Sequence, residues 1–203
     1  MQRILPMRGA LVTKYIRGGI DAPWSWKLRN QLTTGYLRGW LGKYVAAPVA
    51  RFFGVLTVTG ELRAMLYHAD GTYIDYGVLG RRVVTTAYAE FMVDQHQTES
   101  SVIGDYKFHD SGVGTTAENS SDTDIETTDG ESRASGTQVE ESSVIYRSVG
   151  TISYTTTKAI TEHGLFSAST STTLMDRTKF TAINVVNGDS IQFTYGITYA
   201  AGS

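Results

Sequence analysis

The sequence predicts a mainly β protein, an antiparallel β-sandwich preceded by an extended, partly helical N-terminal arm. From Thr98 to the end, 19 Thr and 16 Ser occur in 106 residues, with Val, Ile, Tyr and Phe between them. This composition suits half-buried, pleated strands better than helices. All three Trp and all three Pro instead lie within the first 48 residues. We therefore divide the chain into an arm, residues 1–52, and a β-sandwich domain, residues 53–203.

The charges divide at the same place. The net charge of the whole chain is −2. Residues 1–52 carry nine basic side chains and one acid, Asp21, whereas residues 53–203 carry nine basic side chains and nineteen acids. The sequence therefore predicts a basic arm joined to an acidic body.

The arm contains a helical pattern. Asp21-Ala22-Pro23 predicts a helix start, because an acid and a proline are favoured at that point. Apolar residues then recur at spacings of three and four: Leu28, Leu32, Tyr36, Leu37, Trp40, Leu41 and Tyr44. Glycines among them each cost about 1 kcal/mol relative to alanine in a helix. We expect this stripe to need a partner surface and to end at Pro48.

The body reads as short strands separated by turns. Val55–Thr59 predicts a strand, and Leu62–Tyr67 and Thr72–Val78 predict a hairpin with Asp70-Gly71 at its tip. Thr85–Gln95 is the one helix predicted in the body. Further strands are predicted near 105–109, 133–140, 143–155, 158–167, 173–185 and 189–199. This pattern indicates a sandwich, and it leaves jelly-roll and immunoglobulin-like topologies both open.

The segment 111–132 is rich in acids and contains no Lys or Arg, which predicts a long exposed loop. Its spaced carboxylates suggest a calcium loop. However, an EF-hand counted from Asp122 would place Thr127 where glycine is required and Arg133 where glutamate is required. We predict no metal site.

Several kinds of catalytic chemistry are excluded or disfavoured. Without cysteine, the chain has no disulfides, thiolate metal sites or cysteine nucleophile. The pairs His109-Asp110 and Glu162-His163 place neighbouring side chains on opposite faces of a strand, so neither pair converges on one proton or metal. No hydrolase or nucleotide-binding motif is present. We predict a protein that is not an enzyme and has no cofactor.

No apolar run is long enough to cross a membrane, and the first residues lack the apolar core of a secretory signal.

The body contains no Trp, which disfavours a sugar-binding cleft.

The arm is the predicted partner-binding element. Its basic and tryptophan side chains are Arg3, Arg8, Lys14, Arg17, Trp24, Trp26, Lys27, Arg29, Arg38, Trp40, Lys43 and Arg51. They suit nucleic acid, an anionic membrane surface or an acidic protein, including the body of a neighbouring copy. The arm folding back on its own body is a further alternative. Because Trp and Arg dominate protein interfaces, we favour a protein partner.

Several stretches carry a family resemblance. They are Gly80–Thr86 (GRRVVTT), Tyr106–Asn119 (YKFHDSGVGTTAEN), Arg133–Thr137 (RASGT), Tyr146–Tyr154 (YRSVGTISY), Ala159–Ala168 (AITEHGLFSA), Asp176-Arg177 and Phe180–Tyr195 (FTAINVVNGDSIQFTY). Together they span about residues 55–200 and resemble small virion structural proteins of tailed bacteriophages. The resemblance does not include the arm.

The resemblance implies a component of the virion, assembled in the host cytoplasm. We expect a capsid decoration or cement protein that docks on the major capsid protein as a homo-oligomer, a trimer or a dimer, and inserts its arm between subunits. A tail, adaptor or fibre component and a receptor- or glycan-binding module are the alternatives.

Overall fold

A computed structural model describes residues 19–32, 34–53, 57–82, 85–95, 106–170 and 173–200. The helices are α1 (Trp24–Gln31), α2 (Thr34–Leu41), α3 (Ala47–Phe52) and α4 (Thr86–Gln95), and a π-helical turn, Gly42–Ala46, joins α2 to α3. The strands are β1 (Gly19–Asp21), β2 (Thr57–Tyr67), β3 (Tyr73–Arg82), β4 (Phe108–Gly112), β5 (Ala134–Ser135), β6 (Thr137–Ser142), β7 (Ile145–Ser153), β8 (Lys158–Phe166), β9 (Leu174–Val185) and β10 (Ser190–Ala200).

The strands form two sheets, which confirms the predicted sandwich. The large sheet has the order β1-β3-β2-β10-β7-β6, and the small sheet has the order β5-β4-β8-β9. All pairings are antiparallel except that of β1 with β3. The chain crosses between the sheets after β3, β5, β7 and β9, so both sheets contain strands from distant parts of the body.

The core lies between the sheets. Strand β10 alternates as predicted, because every second side chain from Ile191 to Ile197 is buried. The largest fully buried side chains are Tyr106, Tyr154, Tyr195, Phe166, Phe180, Phe193, Leu62, Leu66, Leu79, Ile160, Leu165 and Leu174. Except for Phe166 and Leu174, which lie on the outer face of the small sheet beside Gly164 and Ile125, these side chains belong to the cluster between the sheets, and burial of their apolar area holds the sheets together.

The predicted hairpin and turns are present. Gly71 has φ +84° at the tip between β2 and β3, and the Asp70 carboxylate accepts hydrogen bonds from the backbone N–H and hydroxyl of Thr72. Gly188 has φ +91° between β9 and β10. These are positions where glycine alone avoids strain. The predicted body helix is α4, and Tyr88 on it is buried.

The predicted helix of the arm continues past the proline that was expected to end it. Pro48 is the second residue of α3 and follows the π-helical turn, where Ala47 has helical φ −67° and ψ −41° and its N–H donates to the Gly42 carbonyl five residues back. The π-helical turn at Gly42–Ala46 connects this helix directly to α2. The arm between Trp24 and Phe53 is therefore a chain of short helices.

Candidate interaction surface

Helix α1 is fixed across the open edge of the sandwich. The buried Asn30 side chain donates to the carbonyl of Leu79 in β3 at 2.7 Å, and it accepts from the backbone N–H of Thr181 in β9 at 3.0 Å. Strand β3 belongs to the large sheet and β9 to the small sheet. One side chain from the arm therefore joins the two sheets.

Trp26, one turn before Asn30, is also turned inward. Its indole is 6% exposed, donates to the carbonyl of Ala182 at 2.9 Å, and lies edge-on to Tyr76 with 4.6 Å between ring centroids. Upstream, β1 pairs with β3, and the Ala22 N–H donates to the Asp75 carbonyl. These contacts seat the beginning of the described arm on its own body.

The other side of α1 is apolar and exposed. Trp24, Leu28 and Leu32 are spaced by four residues and therefore share a face. Their exposed fractions are 75%, 38% and 65%. Because Trp26 and Asn30 occupy the inward side, these three side chains have no place in the core.

The same exposure continues through the rest of the helical segment. We define the apolar helical surface as the exposed apolar side chains of residues 24–53: Trp24, Leu28, Leu32, Leu37, Trp40, Leu41, Tyr44, Val45, Val49, Phe52 and Phe53. Phe52 and Phe53 are 76% and 74% exposed and contact each other edge to face. Exposed apolar side chains in such number mark interaction surfaces in soluble proteins.

A close backbone contact positions α2 on the body. A Cβ atom at Gly39 would overlap the carbonyl oxygen of Arg81 in β3, so only glycine allows the helix to approach this closely. At Gly42, three residues later, a Cβ atom would meet nothing within 4 Å. These two glycines thus differ in role, and of the two it is Gly39 that packing requires.

Charges also tie the helices to the large sheet. The Glu61 carboxylate contacts Arg81 at 2.9 Å, Arg63 at 3.0 Å and Lys43 of the π-helical turn at 3.3 Å. Burial raises the pKa of Glu61, but the charges of Arg81, Lys43 and Arg63 outweigh it and hold the pKa below its ordinary value. Lys43 is therefore paired with an acid of its own body.

The structure divides the predicted partner-binding residues into groups. Arg3, Arg8, Lys14 and Arg17 lie outside the described residues. Arg38 and Arg51 belong to α2 and α3, and their side chains also lie outside the description. Of the remaining residues, Trp24 and Trp40 are exposed and Trp26 is buried. Arg29 is exposed and donates a hydrogen bond to the Ser25 carbonyl. The two lysines form ion pairs, Lys27 with Asp21 and Lys43 with Glu61.

Trp26 thus differs in role from the other two tryptophans. The sequence interpretation treated all three as anchors for a partner. In the structure, Trp26 packs within its own chain because the helix turns it and Asn30 toward the gap between the sheets. Trp24 and Trp40 remain available to a partner.

Sequence reasoning missed part of the apolar helical surface. Val49, Phe52 and Phe53 lie beyond Pro48, where the helix was expected to end. The signal was present, since Val45, Val49 and Phe53 continue the four-residue spacing of Leu37 and Leu41.

The acidic segment is fastened to the outer face of the small sheet. The fully buried Glu162 carboxylate accepts the backbone N–H groups of Gly114, Glu126 and Thr127. It also binds Arg177, at 2.7 Å. Arg177 contacts two acids of the segment as well, Asp122 at 2.9 Å and Glu126 at 3.3 Å. A guanidinium group therefore occupies the position between these carboxylates where a cation would bind.

The histidines of the small sheet lie in the core. The two rings share a hydrogen bond of 2.9 Å between Nδ1 of His109 and Nε2 of His163, and His109 Nε2 contacts the Ser148 hydroxyl of the large sheet at 2.9 Å. The ring of His109 packs against Gly136 and Gly150, where any Cβ atom would collide with it. Burial lowers the pKa of His109 to about 3, and burial and the His109 charge lower that of His163. As predicted, Glu162 and His163 point to opposite faces.

Within the described part of the chain, no cluster of three or more His, Cys, Asp or Glu side chains is arranged to hold a metal ion. No described helix has the length and apolar character needed to span a bilayer. No protein-family model, curated protein or solved structure matches the chain.

Proposed function

We propose that this chain is a non-enzymatic structural protein of the tailed-bacteriophage particle, and specifically a capsid decoration or cement protein. It docks on the major capsid protein through the apolar helical surface and so stabilises the head. The observation that carries this proposal is the exposure of Trp24, Trp40, Phe52 and Phe53 on helices that are themselves fixed to a sandwich.

The energetics favour docking through this surface. Burying one large apolar side chain contributes about 1.5–3 kcal/mol, and aromatic residues dominate interface hot spots. The attachment of α1 through Trp26 and Asn30 means that little order has to be gained on binding. Modest affinity per copy is sufficient for a cement protein, because the particle offers many equivalent sites and binding stabilises the docked lattice by mass action.

The assignment to a phage particle is supported by the resemblance of the body, above all at Tyr106–Asn119 and Phe180–Tyr195. In the fold these stretches supply β4 and parts of β9 and β10, which are structural elements of the sandwich. The resemblance therefore bears on the kind of particle, and the exposed helices bear on the mode of attachment.

Copy number tests this proposal. Quantitative mass spectrometry of purified phage particles that carry this chain should find it in numbers comparable to those of the major capsid protein. A copy number that is a small fraction of that would instead indicate a tail, adaptor or fibre component. Absence from washed particles would contradict the proposal altogether.

A further inference from the structure

The solvent-facing side of the large sheet carries a trough that nothing in the docking proposal uses. It has a volume of about 330 Å³, and its floor is formed by Thr194, Gly196 and Thr198 of β10. Its walls come from β2 and β7, where Glu61 and Arg147 lie on either side of Gly196 in the strand register. Lys43 and Glu141 complete the lining.

The trough exists because β10 has a glycine that its fold does not require. A Cβ atom at Gly196 would lie no closer than 3.9 Å to any atom, and its φ is not in the left-handed region. By contrast, a Cβ atom at Gly60 in the adjacent strand would collide with the Tyr195 hydroxyl. Glycine in a strand interior is destabilising and often marks a bulge, a bend or the close approach of a ligand or another backbone. The pairing of β10 with β2 and β7 has no register shift at Gly196, which leaves a close approach as the interpretation.

The walls of the trough carry unbalanced positive charge. Arg81, Arg63 and Lys43 all share the single carboxylate of Glu61. Across the trough, the only ion pair of Arg147 among the described residues is a 3.5 Å contact with Glu141, and its Nε atom is buried without a hydrogen-bond partner there. Arg81 lies outside the lining, so within the trough the three cations Lys43, Arg63 and Arg147 face the two carboxylates of Glu61 and Glu141.

We propose that this trough binds a carboxylate group of an acidic segment from a partner protein. Arginine side chains recognise carboxylates through directed, charge-assisted hydrogen bonds, and the hydroxyls of Thr194 and Thr198 provide further donors. Glu61 already demonstrates that a carboxylate fits among these cations. A flexible glutamate side chain can place one carboxylate between Glu61 and Glu141, whereas the phosphates of a duplex nucleic acid are fixed in a row that both acids would repel.

The test uses the full chain and a hexaglutamate peptide as probe, monitored by amide chemical shifts in NMR. We expect saturable shifts at Thr194, Gly196 and Thr198. Inorganic phosphate and a duplex DNA oligonucleotide should give weaker binding at the same amides. No saturable shift with hexaglutamate, or equal binding of phosphate or DNA, would overturn the inference.

Two variants locate the binding. Gly196→Val fills the trough without removing a charge, and Arg147→Gln removes one cation. Each should weaken hexaglutamate binding about tenfold, the effect of one lost charge-assisted contact. Lys107→Gln, a lysine at the edge of the small sheet, is the matched control and should bind like the parent. Because valine suits a strand, Gly196→Val should unfold at the same or a higher temperature than the parent, so unchanged affinity in that folded variant would also overturn the inference.

This inference does not depend on the phage assignment. The peptide titration is made on the isolated chain, whereas the proposed function is tested on particles. A negative result in the peptide titration therefore leaves the proposed function untouched, and a negative result on particles leaves the carboxylate site untouched.

Discussion

At the scale of single residues, Asn30 shows how one polar side chain can close a sandwich. Its amide is buried and bonded to β3 of the large sheet and to β9 of the small sheet. Sequence reasoning gave this residue no role, because an asparagine on a predicted amphipathic helix has no signature that distinguishes a buried position from an exposed one. The contact depends on where β3 and β9 bring their backbones, and the sequence of the arm does not contain that information.

We predict that Asn30→Ala lowers the free energy of unfolding by about 2–3 kcal/mol, because a buried carbonyl at Leu79 and a half-buried N–H at Thr181 both lose their partner. Urea unfolding followed by circular dichroism measures the change. The control is Gln31→Ala, at the neighbouring exposed position of the same helix, which should alter stability by less than about 0.5 kcal/mol. Equal effects of the two substitutions would contradict the bridging role of Asn30.

The buried pair of His109 and His163 leads to a prediction about how stability depends on pH. The unfolded chain binds protons at its histidines near pH 6.5, whereas burial holds the folded pKa of His109 at about 3. Between about pH 3 and about pH 6.5 the unfolded state therefore binds more protons than the folded state. The free energy of unfolding consequently decreases as the pH falls below about 6.5. His109 contributes about 1.4 kcal/mol per pH unit within this window, and His163, whose pKa is also lowered by burial, changes stability in the same direction.

Urea unfolding at about pH 7 and about pH 5 measures this dependence. His109→Gln should lose less stability than the parent over this interval, because one of the two buried groups no longer titrates. In the folded parent, the ring-carbon NMR signals of His109 and His163 should stay constant over the same range. A midpoint near pH 6.5 for either buried ring would contradict the account.

At the scale of elements, the period-two and turn signals of the body predicted nearly every strand. The hairpin of β2 and β3, the helix α4 and the alternation of β10 follow from the local sequence alone. The arm was harder, because its helical periodicity does not indicate which side faces the body. Trp26 and Asn30 lie inward, and the predicted stripe of Leu28, Leu32 and Leu37 lies outward.

The close packing of α2 on β3 leads to a prediction about stability. Gly39→Ala should displace α2 from β3, because the added methyl group overlaps the backbone of Arg81. We expect a loss of about 1–3 kcal/mol in the free energy of unfolding, as for overpacking elsewhere. Gly42→Ala adds the same methyl group in open space and should be neutral or stabilising by up to about 1 kcal/mol. Thermal unfolding of the two variants compares them directly, and a Gly39→Ala variant as stable as Gly42→Ala would contradict the close packing.

The acidic segment shows a limit of composition as a guide. Its residues predicted an exposed loop, and most of its side chains are exposed. Its backbone is nevertheless held by Glu162 and Arg177, which lie far along the chain on β8 and β9. The segment itself carries no basic residue, so nothing within it revealed that a distant arginine neutralises it.

At the scale of the whole molecule, the charge division of the sequence is offset in part within the described residues. Lys43 of the arm pairs with Glu61 of the body, and Lys27 pairs with Asp21 inside the arm itself. What remains available to a partner on the described arm is chiefly apolar. This shifts the expected interface from charge to burial of aromatic and aliphatic side chains.

A change in the apolar helical surface is also a better test than removal of the arm. A chain that lacks residues 1–52 loses Trp26 and Asn30 and exposes the edge between the sheets. Surface substitutions at Phe52 and Phe53 leave those contacts in place.

The most direct test of docking through this surface is co-sedimentation of the full-length chain with phage heads that lack it. Phe52→Ser combined with Phe53→Ser should weaken binding at least tenfold, since each buried phenylalanine contributes about 1.5–3 kcal/mol. The control, Val93→Ser combined with Val186→Ser, alters exposed apolar residues elsewhere and should bind like the parent. If the phenylalanine variant is folded and binds heads as tightly as the parent, the apolar helical surface is not the docking site.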